Sequence, residues 1–361
     1  MFGVLPLLLT VWVLHFVWAR QYEGADFHRQ FWVAGARVLQ GLSPYTLTKA
    51  RIAAGMAFPY PAGAALLFAP FALLARSPSG ILFTALCFAS PLATLRALQV
   101  EDWRLYGMVL LLGPIVSGWQ TANLTLPLML GIALVWRYRD QAVVSGLVVA
   151  VIISLKVFVW PIGLWLIATR RYVAAAYALV FGLVINAVAW GVIGVDQIRP
   201  FLRMSSLVTH VWYRSGYGLI AFAMRLGTSR GAATAFMIAV SVALALACIA
   251  VGWRRRDQAC LLLAVVAMLA ASPLVWNHYF ALLIVPLAIA RPRLSPIWAL
   301  QLMLWLCPTT DPVTWQRFVA LVVIAATTYI LLSSLGSIHG ALKNGKPPTQ
   351  GFSRTGGPLC N

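Results

Sequence analysis

The chain has 361 residues, of which 61% are hydrophobic and 10% are charged, and its 27 lysines and arginines against 8 aspartates and glutamates give a net charge of +19. A soluble domain has roughly 45–50% apolar and about 25% charged residues, so this composition excludes the soluble classes. The basic residues stand in small groups between apolar runs, which is typical of cytoplasmic loops in a membrane protein and not of a nucleic-acid-binding surface.

The apolar runs predict an all-α integral membrane protein, a polytopic bundle of about twelve transmembrane helices, because roughly 20 apolar residues cross a hydrocarbon core. The first run, 2–19, predicts a retained helix and not a cleaved signal peptide. A polar segment, 20–60, forms the first outer loop. The later predicted spans are 62–76, 80–98, 105–117, 124–136, 142–155, 158–169, 172–193, 232–252, 258–274, 279–290, 296–308 and 314–334. They complete a membrane domain over 1–336, and 337–361 is expected to be a disordered cytoplasmic tail.

The positions of the basic groups constrain the topology. With these groups inside, the region 105–136 must cross the membrane once despite a polar break at 118–123, and the stretch 216–226 must enter and leave on the outer side. Irregular backbone at membrane depth is tolerated only where protein or a watery cavity surrounds it. The topology therefore predicts an outward-facing cavity near these two breaks.

The first outer loop carries a candidate catalytic acid. Residues 28–40 alternate apolar and polar groups at helical spacing, which predicts an amphipathic helix lying at the membrane interface. Asp26 stands directly before this helix and is a candidate general base for a hydroxyl of a bound substrate. A helix N-cap or a solvated loop acid is the alternative for Asp26, and Glu23 is the competing acid.

Two further candidates lie at junctions of apolar runs. His278, in Ser272-Pro273-Leu-Val-Trp276-Asn277-His278-Tyr279, is expected to contact a phosphate or to pair with Asp26, or else to turn toward lipid headgroups. Lys156 is predicted near the outer face, where it either meets a lipid-linked phosphate or snorkels to the interface.

Two more polar regions complete the candidates. Gln120 and Asn123 belong to the polar break at 118–123. Arg214 lies in an outer loop, about 194–217, whose positive charges suggest an anionic ligand such as a phosphate. Signatures of soluble enzymes are missing from the sequence, including a P-loop, a dinucleotide fingerprint and a Cys/His metal pattern, so we expect no metal or cofactor. Any activated donor must therefore reach the membrane already made.

The order of these segments resembles glycosyltransferase family 87, a branch of the multi-spanning GT-C superfamily that uses polyprenyl-phosphate sugars. The resemblance covers about residues 20–290. Its motifs, in chain order, are Asp26-Phe27, Ala34-Gly35, Gly41…Pro44-Tyr45, Phe58-Pro-Tyr60-Pro61, Gln120-Thr-Ala-Asn123-Leu124, Lys156-Val-Phe158…Pro161 and Ser272-Pro273-Leu-Val-Trp276-Asn277-His278.

The resemblance implies an integral membrane hexosyltransferase, typically a mannosyltransferase, on the outer face of the cytoplasmic membrane. Asp26 would be the base and His278 an active-site residue near the phosphate or the acceptor. Where the family has tandem prolines and often a second histidine, this chain has Pro61-Ala62 and Tyr279, which leaves the sugar and the acceptor open. The candidate substrate- and phosphate-binding residues are Arg29, Tyr60, Gln120, Asn123, Lys156 and Arg214.

The expected reaction is an inverting transfer from a polyprenyl-phosphate sugar to a glycolipid or glycan acceptor. A transporter or flippase of lipid-linked sugars is the main alternative, since it would share a cavity and basic phosphate contacts. Such proteins more often show an internal repeat, and the sequence has none. A purely structural membrane subunit would explain the helices but not the polar cluster.

Overall fold

A computed structural model describes residues 3–19, 24–45 and 48–343, and every regular element within these ranges is a helix. The first half of the chain contains α1 (Val4–Ala19), α2 (Trp32–Leu39), α3 (Lys49–Ala53), α4 (Ala62–Phe68), α5 (Arg76–Ala97), α6 (Trp103–Leu110), α7 (Gly113–Gln120), α8 (Thr125–Arg137) and α9 (Ala142–Leu155). The second half contains α10 (Pro161–Ala168), α11 (Tyr172–Ile193), α12 (Ile198–Trp212), α13 (Leu219–Arg225), α14 (Arg230–Trp253), α15 (Asp257–Ala271), α16 (Ile284–Ala290), α17 (Pro296–Leu300) and α18 (Thr314–Lys343).

Within the described ranges, four helices are long and apolar enough to cross a membrane: Arg76–Ala97, Tyr172–Ile193, Arg230–Trp253 and Thr314–Leu335. All four present large apolar side chains at the surface, for example Ile81 at 67% exposure, Leu179 at 64% and Leu246 at 61%. An apolar surface of this kind suits lipid and not water. The described part of the chain is therefore all-helical, and these four helices have the length and composition of membrane-spanning segments.

The remaining predicted spans correspond to shorter apolar helices, and the count of about twelve crossings stays a prediction. The bounds of α9 and α11 are those predicted. Proline divides some of the other apolar runs. The run predicted at 62–76 becomes α4 followed by a 3₁₀ helix, Pro70–Leu73, since proline lacks the amide that would continue a helix. The run at 105–117 is likewise divided, between α6 and α7. The stretch 216–226 contains α13, a helix of 7 residues.

The segment after the candidate acid is held by aromatic rings. The predicted amphipathic helix is observed as a π-helical turn, Phe27–Phe31, that continues into α2. Phe27 and Phe31 are fully buried; the ring of Phe31 stacks on Phe68 at 4.4 Å and that of Phe27 on Phe83 at 5.2 Å. Burial of such rings is a large apolar contribution with specific geometry. Asp26 therefore stands at the start of a rigidly packed element.

A glycine lets α2 cross α4 at backbone contact. A Cβ atom added to Gly35 would overlap the carbonyl group of Phe68.

At the other end of the chain, α18 extends to Lys343, past the predicted start of the tail at 337. Residues 344–361, like Glu23, lie outside the described residues.

Candidate functional site

The segment that carries Asp26 is hydrogen-bonded to the break between α7 and α8. Gly24 has a φ of +55°, in the left-handed region that glycine adopts at little cost. Its amide donates to the carbonyl of Gln120 at 3.1 Å, and the amide of Asp26 donates to the carbonyl of Thr121 at 3.0 Å. Gln120 thus contributes its backbone to the site. The polar break predicted at 118–123 is the surface on which the first loop is fixed.

The break itself turns through a residue with unusual backbone geometry. Ala122 has a φ of +49°, which is uncommon for a residue other than glycine. The amide of Asn123 then donates back to the carbonyl of Gly118 at 2.9 Å. This turn separates α7 from α8 and presents the Asn123 side chain to the first loop.

Asn123 is the direct partner of the candidate base. Its Nδ2 donates to Oδ2 of Asp26 at 2.6 Å. Its Oδ1 accepts from the backbone amide of Thr125 at 2.9 Å and from the Thr125 hydroxyl at 2.7 Å. Because a backbone amide can only donate, these bonds fix the side-chain amide with its nitrogen toward Asp26.

The surroundings of Asp26 exclude its role as a helix cap. Its side chain makes no cap hydrogen bond, and Nε2 of Gln30 donates to its second oxygen at 3.4 Å. Burial raises the pKa of Asp26, while the hydrogen bond from Asn123 and the charges of Lys156 and Arg29 act in the opposite direction. A carboxyl whose pKa is raised by burial is a stronger base than a solvated one.

Lys156 joins the same group from between α9 and the 3₁₀ helix Val157–Val159. It is 8% exposed, and its Nζ donates to the Thr125 hydroxyl at 3.4 Å. The ammonium lies 3.9 Å from the ring centre of Tyr279 and 5.4 Å from that of Tyr60, which are cation–π distances. The lysine is thus buried among rings, and the snorkelling alternative is wrong. Hydrogen bonds run without interruption from Lys156 through Thr125 and Asn123 to Asp26.

His278 lies at the start of a 3₁₀ helix, Asn277–Leu283, that packs against α7 and α8. It is 3% exposed, so it does not face headgroups. Among the residues that the structure describes, neither ring nitrogen has a hydrogen-bond partner, and the predicted pairing with Asp26 is therefore not made. Since buried polar groups are nearly always hydrogen-bonded, this imidazole is available to a bound substrate.

The other predicted site residues differ in their position relative to Asp26, Asn123 and Lys156. Tyr60 is 6% exposed and its ring packs against Phe31 at 4.9 Å. Arg29 is exposed and acts on Asp26 only through its charge. Arg214 is also exposed, and its Nε donates to the Tyr213 hydroxyl at 2.9 Å. The structure thus brings together Asp26, Asn123, Lys156 and Tyr60, and does not bring Arg214 into that group.

Three residues of the site were not among the predicted ones. Gln30 lies four residues after Asp26, a spacing that places two side chains on one helix face. Thr125 begins α8 two residues after Asn123, a position at which a hydroxyl and an amide meet in a local turn. Tyr279 follows His278 directly, yet only the structure shows its ring over the ammonium of Lys156.

Comparison with known proteins gives one result of substance. A family model, glycosyltransferase family 87, matches residues 58–286. This range includes Asn123, Lys156 and His278, whereas Asp26 precedes it. No curated protein and no solved structure matches the chain.

Proposed function

Because this chain belongs to glycosyltransferase family 87, we propose that it transfers mannose from a polyprenyl-phosphate donor to a hydroxyl of a membrane glycolipid or glycan. The transfer inverts the anomeric configuration and takes place on the outer face of the cell membrane. The observation that carries the proposal is the 2.6 Å hydrogen bond between Asn123 and Asp26. It holds a half-buried carboxylate in one orientation, as a general base requires.

Asp26 acts on the acceptor. The oxygen of Asp26 takes the proton of the acceptor hydroxyl while the hydroxyl oxygen forms a bond to the anomeric carbon. The bond between that carbon and the donor phosphate oxygen breaks in the same displacement, and its electron pair leaves with the polyprenyl phosphate. A phosphate is already a good leaving group, and the step as written balances without a redox partner.

We assign Lys156 and His278, and not Arg214, to the leaving phosphate. Lys156 supplies a positive charge in a buried site, where its attraction to a developing anion is stronger than in water. Within the described ranges the ring nitrogens of His278 have no hydrogen-bond partner, which leaves a donor for a phosphate oxygen. Tyr60 and Tyr279 surround the ammonium and leave little room for water.

The test compares wild type with Asp26→Asn in detergent, using radiolabelled polyprenyl-phosphate mannose and a membrane glycolipid extract. Loss of a general base typically costs on the order of 10²–10⁴-fold in rate, so label transfer by the variant should fall by that factor. Asp140→Asn is the matched control, because Asp140 is 76% exposed and pairs with Arg171. Equal transfer by wild type and Asp26→Asn would remove Asp26 as the base. Absence of transfer by wild type with several sugar donors, together with movement of labelled donor across vesicles, would favour the transporter alternative.

A further inference from the structure

Positive charges gather around the ring of Tyr213, between α12 and α14. The guanidinium carbon of Arg230 lies 5.1 Å from the centre of this ring, and that of Arg214 lies 5.6 Å from it. Both are cation–π distances. Nε of Arg214 also donates to the Tyr213 hydroxyl at 2.9 Å, and Nη1 of Arg230 is hydrogen-bonded to Nδ1 of His210. These four residues, His210, Tyr213, Arg214 and Arg230, are named the Tyr213 cluster below.

The contact between Arg230 and His210 determines which imidazole nitrogen carries the proton. A guanidinium only donates hydrogen bonds, so Nδ1 of His210 accepts this bond and the ring proton lies on Nε2. The side chains of His210, Arg214 and Arg230 are all exposed. The cluster therefore presents several N–H donors at the protein surface.

The cluster has no carboxylate to balance its charge. Among the residues that the structure describes, no acid forms an ion pair with Arg214 or Arg230. Asp196, which precedes α12, accepts instead from Nε2 of Gln197. Two neighbouring guanidiniums without an acid favour the binding of an anion, and phosphate suits them best because each guanidinium can donate two parallel hydrogen bonds to it.

The turn that carries Arg214 is held by the start of α18. Arg317 is 1% exposed; its Nε donates to the carbonyl of Gly216 at 2.9 Å and its Nη2 donates to the carbonyl of Arg214. The amide of Asp311 donates to the carbonyl of Ser215, between them, at 2.9 Å. Three consecutive carbonyls are thus fixed, so little backbone ordering is needed when a ligand binds Arg214.

The position of the cluster in the chain places it at a membrane surface. It lies between α11 and α14, two helices that are long and apolar enough to cross a membrane, and Arg230 is the first residue of α14. In the same connecting segment, Leu202, Val211 and Leu226 are exposed at 59%, 47% and 63%. Cations beside exposed apolar side chains are typical of a surface that contacts lipid headgroups.

The connecting segment also contacts the candidate site. Nε1 of Trp212 donates to the carbonyl of Ile52, in the first loop, at 3.0 Å. The ring of Trp212 meets that of Trp276 edge to face at 6.3 Å, and Trp276 stands two residues before His278. The Tyr213 cluster is therefore on the same side of the membrane as the candidate site.

We propose that the Tyr213 cluster binds the phosphodiester of an anionic membrane phospholipid. The two guanidiniums and Nε2 of His210 donate to the phosphate oxygens, and the exposed apolar side chains beside them contact the lipid chains. The headgroup is anionic, because a choline or ethanolamine group would bring a further cation to a surface that is already positive. The charges that act on Asp26 are those of Lys156 and Arg29, so this site is separate from the one assigned to the donor phosphate.

The experiment uses the full-length protein in phosphatidylcholine nanodiscs that contain a small fraction of a photoreactive phosphatidylglycerol. The probe carries a diazirine on its acyl chain close to the glycerol, and mass spectrometry identifies the labelled peptides. We expect labels within 198–230, at a level about fivefold or more above that of a phosphatidylcholine probe with the same chain. Equal labelling of 198–230 by the two probes would overturn the proposal.

Single substitutions test whether the cluster itself holds the lipid. Arg214→Gln and Arg230→Gln each remove one charge and should each lower labelling of 198–230 by about fivefold. Arg203→Gln is the matched control, because Arg203 is an exposed arginine of α12 that is not one of the two cations over the Tyr213 ring. Its labelling should equal that of wild type. A similar loss in all three variants, each folded by thermal melts, would indicate general surface charge and contradict the proposal.

Competition identifies the source of the phosphate. Unlabelled phosphatidylglycerol should displace the probe and millimolar inorganic phosphate should not; displacement by inorganic phosphate would show a site for a free anion and overturn the proposal. Displacement by a membrane glycolipid extract that exceeds displacement by phosphatidylglycerol at equal lipid phosphate would identify the sugar acceptor as the ligand, and the assignment to a bilayer phospholipid would be wrong.

Lipid labelling requires neither donor nor turnover, so its outcome is independent of the proposed function. Asp26→Asn should be labelled as wild type is, whatever its rate of sugar transfer. Loss of transfer in Asp26→Asn together with labels outside 198–230 would leave the base assignment in place and remove the phospholipid site.

Discussion

Replacing Asn123 by leucine tests how the candidate base is held. The substitution keeps a side chain of similar volume but removes the donor to Asp26 and the acceptor for Thr125. A hydrogen bond to the charged form of an acid stabilises that form and lowers the pKa of the acid. Without Asn123, the pKa of Asp26, already raised by burial, should rise further.

The size of this rise follows from the bond that is lost. A hydrogen bond to a charged group contributes about 1.5–3 kcal/mol, and one pKa unit corresponds to about 1.36 kcal/mol. The pKa of Asp26 should therefore rise by roughly 1–2 units in Asn123→Leu. Because a base must be deprotonated to act, the acid limb of the activity profile should move to higher pH by the same amount. At a fixed pH on this limb, the variant should be about 10–100-fold slower.

The assay is kcat/KM for sugar transfer measured across pH for wild type and variant, with thermal melts at each pH. Asn186→Leu is the control, since the Asn186 amide donates to the Ser154 hydroxyl at 2.9 Å and makes no bond to the acid. Its acid limb should coincide with that of wild type. An acid limb of Asn123→Leu at the wild-type position, in a folded protein, would refute the reasoning.

Substitutions at three other positions have defined outcomes. Gly24→Ala forces a Cβ into the left-handed region at about 1–2 kcal/mol and should lower both the melting temperature and transfer, whereas Gly24→Asn, which tolerates that region, should lose less in both measurements. Lys156→Met removes a charge that lowers the pKa of Asp26, so the acid limb of its activity profile should move to higher pH. Lys156→Arg keeps the charge and should retain the wild-type acid limb. An acid limb of Lys156→Met at the same pH as that of Lys156→Arg would contradict this argument. Hydrogen bonds from Arg104 hold the pKa of Asp102 well below its usual range, and this contribution to stability is present at neutral pH and lost as the pH falls below about 4. The melting temperature of Asp102→Asn should thus lie below that of wild type at pH 7 and approach it in acid, and a constant difference would contradict the argument.

The sequence predicted correctly those helices whose ends are marked by a local change from polar to apolar residues. The bounds of α9 and α11 were predicted correctly because polar residues such as Gln141 and Arg171 stand directly before long apolar runs. The division of the run 62–76 at Pro70 was missed, because a proline in an apolar run can also be tolerated inside a helix. Pro91 lies within α5 without ending it. Asp26 was selected as the candidate base from its place before an amphipathic segment.

The contacts between distant segments could not be predicted in the same way. Contact with a phosphate and snorkelling to the interface both fitted Lys156 in the sequence. The structure excluded snorkelling by placing Tyr60 and Tyr279 around the ammonium. The hydrogen bond from Asn123 to Asp26 joins residues 97 positions apart. A single sequence does not show that two such distant positions are in contact. Arg214 was predicted to bind a phosphate at the site because the pattern of charges places its loop on the outer side. That pattern does not give the direction of the side chains, and Arg214 contacts Tyr213 instead.

The wide separation of the site residues along the chain has a consequence for biosynthesis. Phe27 and Phe31 pack against Phe83 and Phe68. These partners are translated soon after the first loop, so this loop can dock early. His278 belongs to the 3₁₀ helix that packs on α7 and α8, and it is translated more than two-thirds of the way through the chain. The contacts that position Asp26 are therefore available long before His278 is translated. With His278 in the role proposed above, transfer cannot begin until that late part of the chain has been inserted.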